Sequence, residues 1–541
     1  MAMLAGKYNS RYQVKREYVG VSGDVKPNDL DLPVGSTFYE TDTERDYVYT
    51  GSYWRRHSKN VTMSLSDSSA VDAFGKLRVA SPVTLFDDKN IHSRNEALWE
   101  EPLIGAVIVH GAVTGGPFVA GEIITGGTSG SVGNISAVNS IASTITYSVN
   151  HNDFIVGETI TGGTSGATAA VISFDTGSHI LYDRNTASVI LQCGAIAGDQ
   201  AVRQTHRYFP GIFGKSQEIF GTVNFGAAVS NVRKRWGYFD ISNGLFVEQT
   251  ISGISFVVRS KTTGAVIDTL IPQANWSVDK MDGGGPSGAA LDFTKTQLIV
   301  IDFQWGGAGR IRFGFFYKGR LIYAHEQNYV NVVTSVYMST LSLPLRAEVA
   351  NTGGTVGVNT MRMICGTIVS NGGESMVGNG YTVSNDIVGR AVTATAAVPI
   401  IAVRVKSAHP NGGDNRIAAE LYGMGIFCTG NNIHYELRRI HDPSSMTATW
   451  ADVGNGSGLE FSVNIAAISG GRMNLVEEGY AAVSQGGKGS ETLVAVTTRR
   501  DQYRYIMQNY NSTNSEVFAV FAQSLGGNAT AYAHLTWIET E

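Results

Sequence analysis

Short runs of alternating apolar and polar residues occur along most of this chain, and Gly-rich turns separate them. Between residues 188 and 370 the runs lie at 219–225, 253–259, 297–303, 311–317, 321–325 and 361–369. A period of two places successive side chains on opposite faces of a β-strand, and the intervening turns suit antiparallel connections. We therefore predict a central antiparallel β-sandwich formed by residues 61–102 and 181–370.

The same pattern resumes near the C-terminal end of the sequence. Runs at 397–405, 421–428, 490–498, 517–522 and 534–538 predict a second β-sandwich over residues 386–541. A segment rich in Gly, Asn and Ser at 370–385 is typical of a linker between the two sandwiches. Helical periodicity is weak throughout. The best helical candidate, residues 335–345, contains Pro344 and fits a strand with a loop equally well.

One phrase occurs twice in an otherwise irregular pattern. Phe-Val-Ala-Gly-Glu-Ile-Ile-Thr-Gly-Gly-Thr-Ser-Gly at 118–130 returns, with three changes, at 154–166, which is 36 positions later. Each copy predicts a strand followed by a tight turn. A unit this short cannot bury its own apolar face, so it must pack on its twin or on its host. We predict a small β-repeat module at 103–180, inserted into the central sandwich.

The first 60 residues predict a separate small unit. An alternating strand follows the Leu-Pro-Val-Gly turn that begins at residue 32, and another strand lies at 46–50. Phe38, Tyr49 and Trp54 are expected to share its core, because a domain of this size needs aromatic side chains or a partner to be stable. We interpret residues 1–60 as an N-terminal docking module.

Composition supports an all-β, multidomain chain. Only 16% of the 541 residues are charged while 64 are Gly, which suits sheets connected by turns. The formal charge is −5 and the basic residues form no long run, so we expect no nucleic-acid partner. The three cysteines are far apart and predict neither a disulfide framework nor a metal site. No segment directs export or membrane insertion, and we expect assembly in a reducing cytoplasm.

Candidate chemistry is sparse. The Gly-Gly-Thr-Ser-Gly turns could cradle an anion, but they lack the Lys of a phosphate-binding loop. Pairs near His325, His434 and His441 lack metalloprotease spacing. Asp279, Asp282 and Asp292 flank a Gly-rich loop without the spacing of an EF-hand. We therefore predict no catalytic residue, no cofactor-binding residue and no metal ligand.

Two groups of side chains keep other functions open. Glu248, Asp302, Glu326 and Glu348 lie on or beside predicted strands, and a suitable pair could hydrolyse glycosidic bonds. Aromatic residues crowd the central region, and most should belong to its core. Trp276 and Trp305 lie among Asn, Ser and Gly, so we predict them as surface aromatic contacts.

Several motifs occur in two blocks. The first is Asp-Ala-Phe-Gly-Lys-Leu-Arg-Val at 72–79 with Leu-Phe-Asp at 85–87 and Leu-Trp-Glu-Glu at 98–101. The second is Gly-Asp-Gln-Ala-Val-Arg-Gln-Thr at 198–205 with Tyr-Phe-Pro-Gly at 208–211 and Gly-Lys-Ser-Gln at 214–217. These blocks resemble a family of large structural proteins of tailed bacteriophages, often described as tail-fibre or minor virion components. The resemblance covers roughly residues 30–100 and 188–370 and does not extend to 386–541.

The resemblance implies a place in a virion, a sandwich similar to lectin-like jelly rolls, and assembly as a multimer. It transfers no catalytic or binding residue. We expect a non-enzymatic tail-associated fibre or adhesin that contributes to host attachment. The expected partners are other virion proteins of the tail or portal/adaptor region, further copies of the chain, with a trimer favoured, and a host surface glycan. The alternatives are a head decoration or head fibre, a ring or nozzle component of a short tail, and a capsule polysaccharide depolymerase.

Overall fold

The computed structural model describes most of the chain and divides it into two units, Met1–Ala70 and Val71–Glu541. No α-helix occurs in the described residues, and none of their helices is long and apolar enough to cross a membrane. A short 3₁₀ helix occupies Gln273–Asn275. The described residues are 3–10, 13–27, 32–43, 45–50, 52–57, 82–95, 98–149, 154–174, 177–211, 214–354, 357–371, 378–410, 412, 415, 417–441, 445–469, 472–483, 492–495, 505–506 and 516–540.

The N-terminal unit contains one sheet in which the strands follow chain order. Phe38 is fully buried in one cluster with Tyr18 and Tyr49, and the indole of Trp54 packs edge-on against the ring of Phe38 with a centroid distance of 6.0 Å. The predicted core of Phe38, Tyr49 and Trp54 is therefore confirmed. The strands are β1 (Met3–Ser10), β2 (Gln13–Gly20), β3 (Thr37–Glu40), β4 (Arg45–Tyr49) and β5 (Trp54–His57).

The second unit begins with a sandwich of two antiparallel sheets that share one apolar core. One sheet contains β6 (Val83–Lys89), β14 (His179–Asp183), β15 (Ser188–Cys193), β17 (Gln217–Asn224), β22 (Gln297–Phe303), β23 (Ile311–Tyr317), β24 (Arg320–Gln327) and β26 (Asn359–Ser370). The facing sheet contains β7 (Trp99–Glu100), β8 (Leu103–His110), β16 (Gln200–Thr205), β18 (Val232–Phe239), β19 (Gly244–Thr250), β20 (Gly253–Ser260), β21 (Ile267–Pro272) and β25 (Leu345–Asn351).

The two sheets interdigitate where a small residue faces a large one. Gly221 of β17 lies against the indole of Trp236 of β18, which is fully buried. Gly366 of β26 receives Leu345 of β25 in the same way. Large and small residues in facing positions let the layers approach to native packing density. These paired positions therefore bring the two sheets into close contact within the core of the central sandwich.

The repeats extend the larger sheet as a closed ring of six antiparallel strands. Its strands are β8, β9 (Ile123–Gly126), β10 (Val132–Asn139), β11 (Thr144–Val149), β12 (Thr159–Gly162) and β13 (Thr168–Phe174). β8 pairs with both β11 and β13, and its first residues also pair with β16. β9 and β12 pair about Thr125 and Thr161, which are equivalent positions of the two copies. The copies thus pack on each other about a local two-fold axis, while β8 connects them to the central sandwich.

The C-terminal part forms a second two-sheet sandwich around its own core. One sheet contains β27 (Asn379–Ser384), β28 (Arg390–Val392), β30 (Ala418–Thr429), β35 (Thr492–Ala495), β36 (Tyr505–Ile506) and β38 (Ala529–Thr540). The other contains β29 (Val398–Val405), β31 (Ile433–His441), β32 (Ser445–Asp452), β33 (Leu459–Ser469), β34 (Arg472–Ala481) and β37 (Val517–Ser524). The all-β, multi-sandwich fold class predicted from the sequence is confirmed.

One local expectation differs from the structure, and the structure decides a second that the sequence left open. Part of the predicted linker, Asn379–Ser384, is strand β27, because β38 offers it an edge with which to pair. The helical candidate at 335–345 consists of bends and an isolated bridge at Leu343 that lead into β25, which agrees with the alternative of a strand with a loop. Tyr337 and Met338 are buried there by contacts with the sandwich core, so tertiary packing and not local periodicity decides their conformation.

Candidate functional site

A groove of about 480 Å³ opens on the outer face of the C-terminal sandwich. It lies where β27, β38 and β30 run side by side and where a loop leaves β27. Its lining residues are Ser384, Asn385, Asp386, Ile387, Gly425, Phe427, Tyr532, Ala533 and His534. Aromatic, carboxylate, amide, hydroxyl and imidazole groups therefore share one concave surface.

Strand pairing sets the positions of the groove residues. Tyr532 of β38 is opposite Phe427 of β30, and their ring centroids are 5.6 Å apart. His534 is opposite Gly425 on one side and Ser384 of β27 on the other. Since Gly425 has no side chain, the space between the aromatic pair and His534 stays open. The groove is thus a depression between two cross-strand rows.

The loop that follows β27 forms one wall and is fixed to the sheet. The side chain of Asn385 donates to the Ala531 carbonyl at 3.0 Å and accepts the Ala533 N–H at 2.9 Å. Asp386 has a φ of 54°, a left-handed conformation that Asp tolerates. Its carboxylate accepts the N–H of Ile387 at 2.7 Å. The wall is therefore held in place before any ligand arrives.

This arrangement suits a ligand that combines apolar faces with hydroxyl groups. Aromatic rings such as Tyr532 and Phe427 pack against apolar C–H surfaces, and the Tyr hydroxyl supplies a polar end. The carboxylate of Asp386 accepts hydrogen bonds, whereas the buried amide of Asn385 is already engaged in anchoring the loop. Ile387 is 87% exposed at the rim, where it can contact an incoming molecule. A sugar ring has this mixture of faces.

The two tryptophans predicted as surface contacts are not part of this groove. Trp276 is only 3% exposed and stacks on Phe256 with a centroid distance of 4.2 Å. Its indole N–H donates to the Ile271 carbonyl. Trp276 is thus a core residue, and its prediction as a surface aromatic was wrong, because the Asn-Ser-Gly context describes the turn and not the side chain. Trp305 is half-buried and donates to the Met338 carbonyl at 3.1 Å.

The four carboxylates considered for glycoside hydrolysis are all engaged by arginines. Glu248 accepts from Arg235 at 2.6 Å, and Glu326 accepts from Arg310 at 3.2 Å. Asp302 accepts from the Nε of Arg312 at 3.0 Å and from the Tyr323 hydroxyl.

Glu348 lies among Arg346, Arg235 and Arg233. Burial works to raise the pKa of Glu348, but these guanidinium groups lower it to about 2. A general acid needs a raised pKa, so this environment opposes acid catalysis by Glu348.

The Gly-Gly-Thr-Ser-Gly turns do bind an anion, which is a side chain of the protein. The N–H groups of Thr128 and Ser129 donate to the carboxylate of Glu158 at 3.1 and 2.9 Å. Glu158 belongs to the other repeat, 30 positions from Thr128. The backbone N–H groups that could have bound a phosphate are therefore already occupied by the carboxylate of Glu158.

The remaining polar candidates have structural surroundings. His325 accepts the Ser277 N–H, and burial lowers the pKa of its ring. Asp279 accepts the N–H groups of Met281 and Ser287, which closes the Gly-rich loop on itself. Asp282 and Asp292 likewise accept N–H groups of their own turns. The side chain of His441 lies outside the described residues.

Sequence reasoning missed the groove residues, although one signal was present. In β38 the inward positions are Ala, Ala, Ala, Leu and Trp, whereas the outward positions include Tyr532 and His534. Alternation of this kind separates a core face from an exposed face carrying Tyr and His. The partners of that face, Asp386 and Phe427, are far away in sequence.

No protein-family model matches the chain, and no curated protein is significantly similar to it in sequence. Solved structures are similar in fold at very low identity. Lectin I-B4 from Griffonia simplicifolia is 10% identical over 36% of this chain and 91% of its own, with a TM-score of 0.21. The legume lectin-like domain from Entamoeba histolytica is 7% identical over 36% of this chain and 88% of its own, with a TM-score of 0.22.

A third similar structure is alginate lyase AlyC3 in complex with dimannuronate. It is 8% identical over 47% of this chain and 91% of its own, with a TM-score of 0.22.

Proposed function

We propose that this protein is a non-enzymatic attachment protein that binds a cell-surface glycan through the groove of its C-terminal sandwich. We further propose that it is a structural component of a tailed-phage virion, as a tail-associated fibre or adhesin. The single observation that carries the binding proposal is the groove, in which Tyr532, Phe427 and Asp386 are held together by strand pairing and an anchored loop.

The state of the candidate carboxylates supports a non-enzymatic role. An inverting glycosidase needs a protonated acid and a base, while a retaining enzyme needs an acid and a nucleophile. Asp302 and Glu348 are buried and held by arginines, and the arginines around Glu348 lower the pKa of its carboxyl. Binding without turnover therefore fits these residues better than hydrolysis does.

The virion proposal rests on the motif blocks and is supported by how they pack. Leu-Trp-Glu-Glu at 98–101 and the segment at 198–205 pair as β7 and β16. Arg203 of the second block forms a buried ion pair with Glu101 of the first. These two motifs thus pack together in the interior of one sandwich, whereas the motif at 72–79 lies outside the described residues. Displayed as a homotrimer, several weak grooves would act together through high effective concentration.

A glycan array probed with the full-length chain tests the binding proposal. We expect binding to a defined glycan class, with affinity reduced about tenfold or more, equal to about 1.4 kcal/mol, by Tyr532→Ala. Asp386→Asn should weaken binding as well. Tyr480→Ala is the matched control, because Tyr480 is 68% exposed on the same sandwich outside the groove. Equal binding by wild type and both groove variants would refute the proposal.

Three measurements address enzyme activity, assembly and position in the particle. Incubation with each bound polysaccharide should release no reducing ends, whereas release that Glu326→Gln or Asp302→Asn abolishes would show a depolymerase. Light scattering should give the mass of a trimer. Antibody labelling of intact particles should place the chain at the tail, and labelling over the head would contradict the tail assignment.

A further inference from the structure

A histidine and two glutamates from three separate segments meet in the interior between the central and C-terminal sandwiches. Glu100 lies on β7, His206 directly follows β16, and Glu516 directly precedes β37. Pairing of β7 with β16 places Glu100 and His206 side by side, and the backbone N–H of His206 donates to the Leu98 carbonyl. Their side chains are between 4% and 8% exposed.

The three side chains converge on one point. The Nδ1 atom of His206 lies 3.5 Å from Oε1 of Glu100 and 3.0 Å from Oε1 of Glu516. All three candidate ligand atoms lie within 4.8 Å of one another. Ligands bound to one zinc ion at its usual bond lengths are roughly 3.0 to 3.5 Å apart. A protonated Nδ1 has one N–H and can donate it to only one of the two carboxylates. A cation between Nδ1 and the two carboxylates would contact all three groups, so this arrangement fits a bound cation better than a single hydrogen bond.

The other oxygen of Glu516 has a separate role. Its Oε2 accepts from the Nε of Arg439 at 2.8 Å and also from the terminal guanidinium nitrogen. Arg439 lies on β31 and is 1% exposed. A carboxylate that a second residue holds by one oxygen presents the other oxygen in a fixed direction, as partners of metal ligands commonly do. Arg439 therefore orients Glu516 toward His206.

We propose that Glu100, His206 and Glu516 form a binding site for a divalent transition-metal ion, with Zn²⁺ as the best match. Imidazole nitrogen with carboxylate oxygen is a donor set that Zn²⁺ accepts, whereas Mg²⁺ and Ca²⁺ favour oxygen alone. Because Glu516 comes from the C-terminal sandwich and the other two ligands from the central one, the ion would tie the two sandwiches together. This inference is independent of the glycan groove.

A second histidine cluster provides a matched control. His434, Glu436 and Glu478 lie on β31 and β34 at the surface, and Glu478 is 59% exposed in its side chain. There, Nδ1 of His434 lies 3.8 Å from Glu436, and Nε2 lies 3.8 Å from Glu478. The ligand atoms of this cluster also lie within 4.8 Å of one another, but its two carboxylates face different ring nitrogens, at longer distances than in the interior cluster.

The test uses the full-length chain, purified without chelators or metal columns. We expect elemental analysis to find about one zinc ion per chain. After treatment with EDTA, added Zn²⁺ should raise the melting temperature of the wild type and of His434→Gln by a few degrees. Glu516→Gln and His206→Gln should show no such rise. Co²⁺ added to the stripped wild type should give a visible absorption band that His206→Gln lacks.

Two results would overturn the site. One is a wild-type chain that contains no stoichiometric metal and whose melting temperature responds to neither EDTA nor Zn²⁺. The other is a zinc response that persists in His206→Gln and disappears in His434→Gln, which would assign binding to the surface cluster. The wild-type measurements decide the matter even if a variant at the interior cluster fails to fold.

Discussion

Glu122 and Glu158 each bind the turn of the other repeat. The carboxylate of Glu122 accepts the N–H groups of Thr164 and Ser165 at 3.1 and 2.9 Å, and Glu158 does the same at the first copy. Each also accepts an N–H three positions before itself, from Val119 or Ile155. Burial works to raise the pKa of Glu122, but these hydrogen bonds lower it. The two repeats therefore stabilise each other, because the carboxylate of each copy holds the turn of the other.

Removing one carboxylate should loosen the turn of the opposite copy. We expect Glu158→Gln to weaken amide protection at Thr128 and Ser129 roughly thirtyfold, equal to about 2 kcal/mol, because hydrogen bonds to a charged acceptor are lost. Glu122→Gln should do the same at Thr164 and Ser165. Hydrogen exchange of the full-length chain measures both.

The control for this pair is Asp292→Asn, since Asp292 is exposed and accepts the N–H of Thr294 in its own turn. It should leave both repeat turns protected. Loss of protection confined to the copy that carries the substitution would contradict the reciprocal arrangement.

A methyl group at position 221 should disturb the packing between the central sheets. The Cβ of Gly221→Ala would overlap the indole of the buried Trp236 on the facing sheet. Overpacking of this kind costs about 1 to 3 kcal/mol. Urea denaturation of Gly221→Ala, Trp236→Phe and the double variant measures the coupling. The double variant should be more stable than the sum of the single effects, and simple additivity would contradict this contact.

Acid should weaken the central sandwich through Glu348. The pKa of Glu348 is about 2 in the folded chain, below its ordinary value of 4.5, because three arginines outweigh the effect of burial. A depressed folded pKa stabilises the protein above pH 4.5, and this stabilisation is lost as the pH falls toward 2. The shift corresponds to an effect on the order of 3 kcal/mol.

Unfolding free energies between pH 7 and pH 2 test this prediction. Glu348→Gln should be less stable at pH 7, since it removes the carboxylate that faces the buried guanidinium groups of Arg346 and Arg235, and its profile should be flatter in acid. An equally steep acid profile in the variant would show that Glu348 is not responsible.

Trp276 should contribute to stability and not to ligand binding. Trp276→Ala removes a buried indole stacked on Phe256, and such truncations cost about 3 to 5 kcal/mol. Denaturation measures the stability, and the glycan assay should give an unchanged affinity for the fraction that remains folded. A loss of affinity without a loss of stability would restore Trp276 as a contact residue.

Local pattern was enough for much of the fold. The strands at Gln297–Phe303 and Ile311–Tyr317 agree with their predicted limits, because a period of two and flanking Gly turns act within a few residues. The core of the N-terminal unit followed from its aromatic residues in the same way. The repeat also indicated that a copy must pack on its twin or its host.

The sequence by itself determined the all-β class, the presence of the repeat pair and many strand positions, because these depend on neighbours along the chain. Only the tertiary structure decided that Glu122 and Glu158 each bind the turn of the other repeat. It also decided that Trp276 is buried and that Tyr532 lies with Phe427 and Asp386 in one groove. Each of these depends on which strands pair and in which register. That choice is made by contacts between residues distant in sequence, which no local period records.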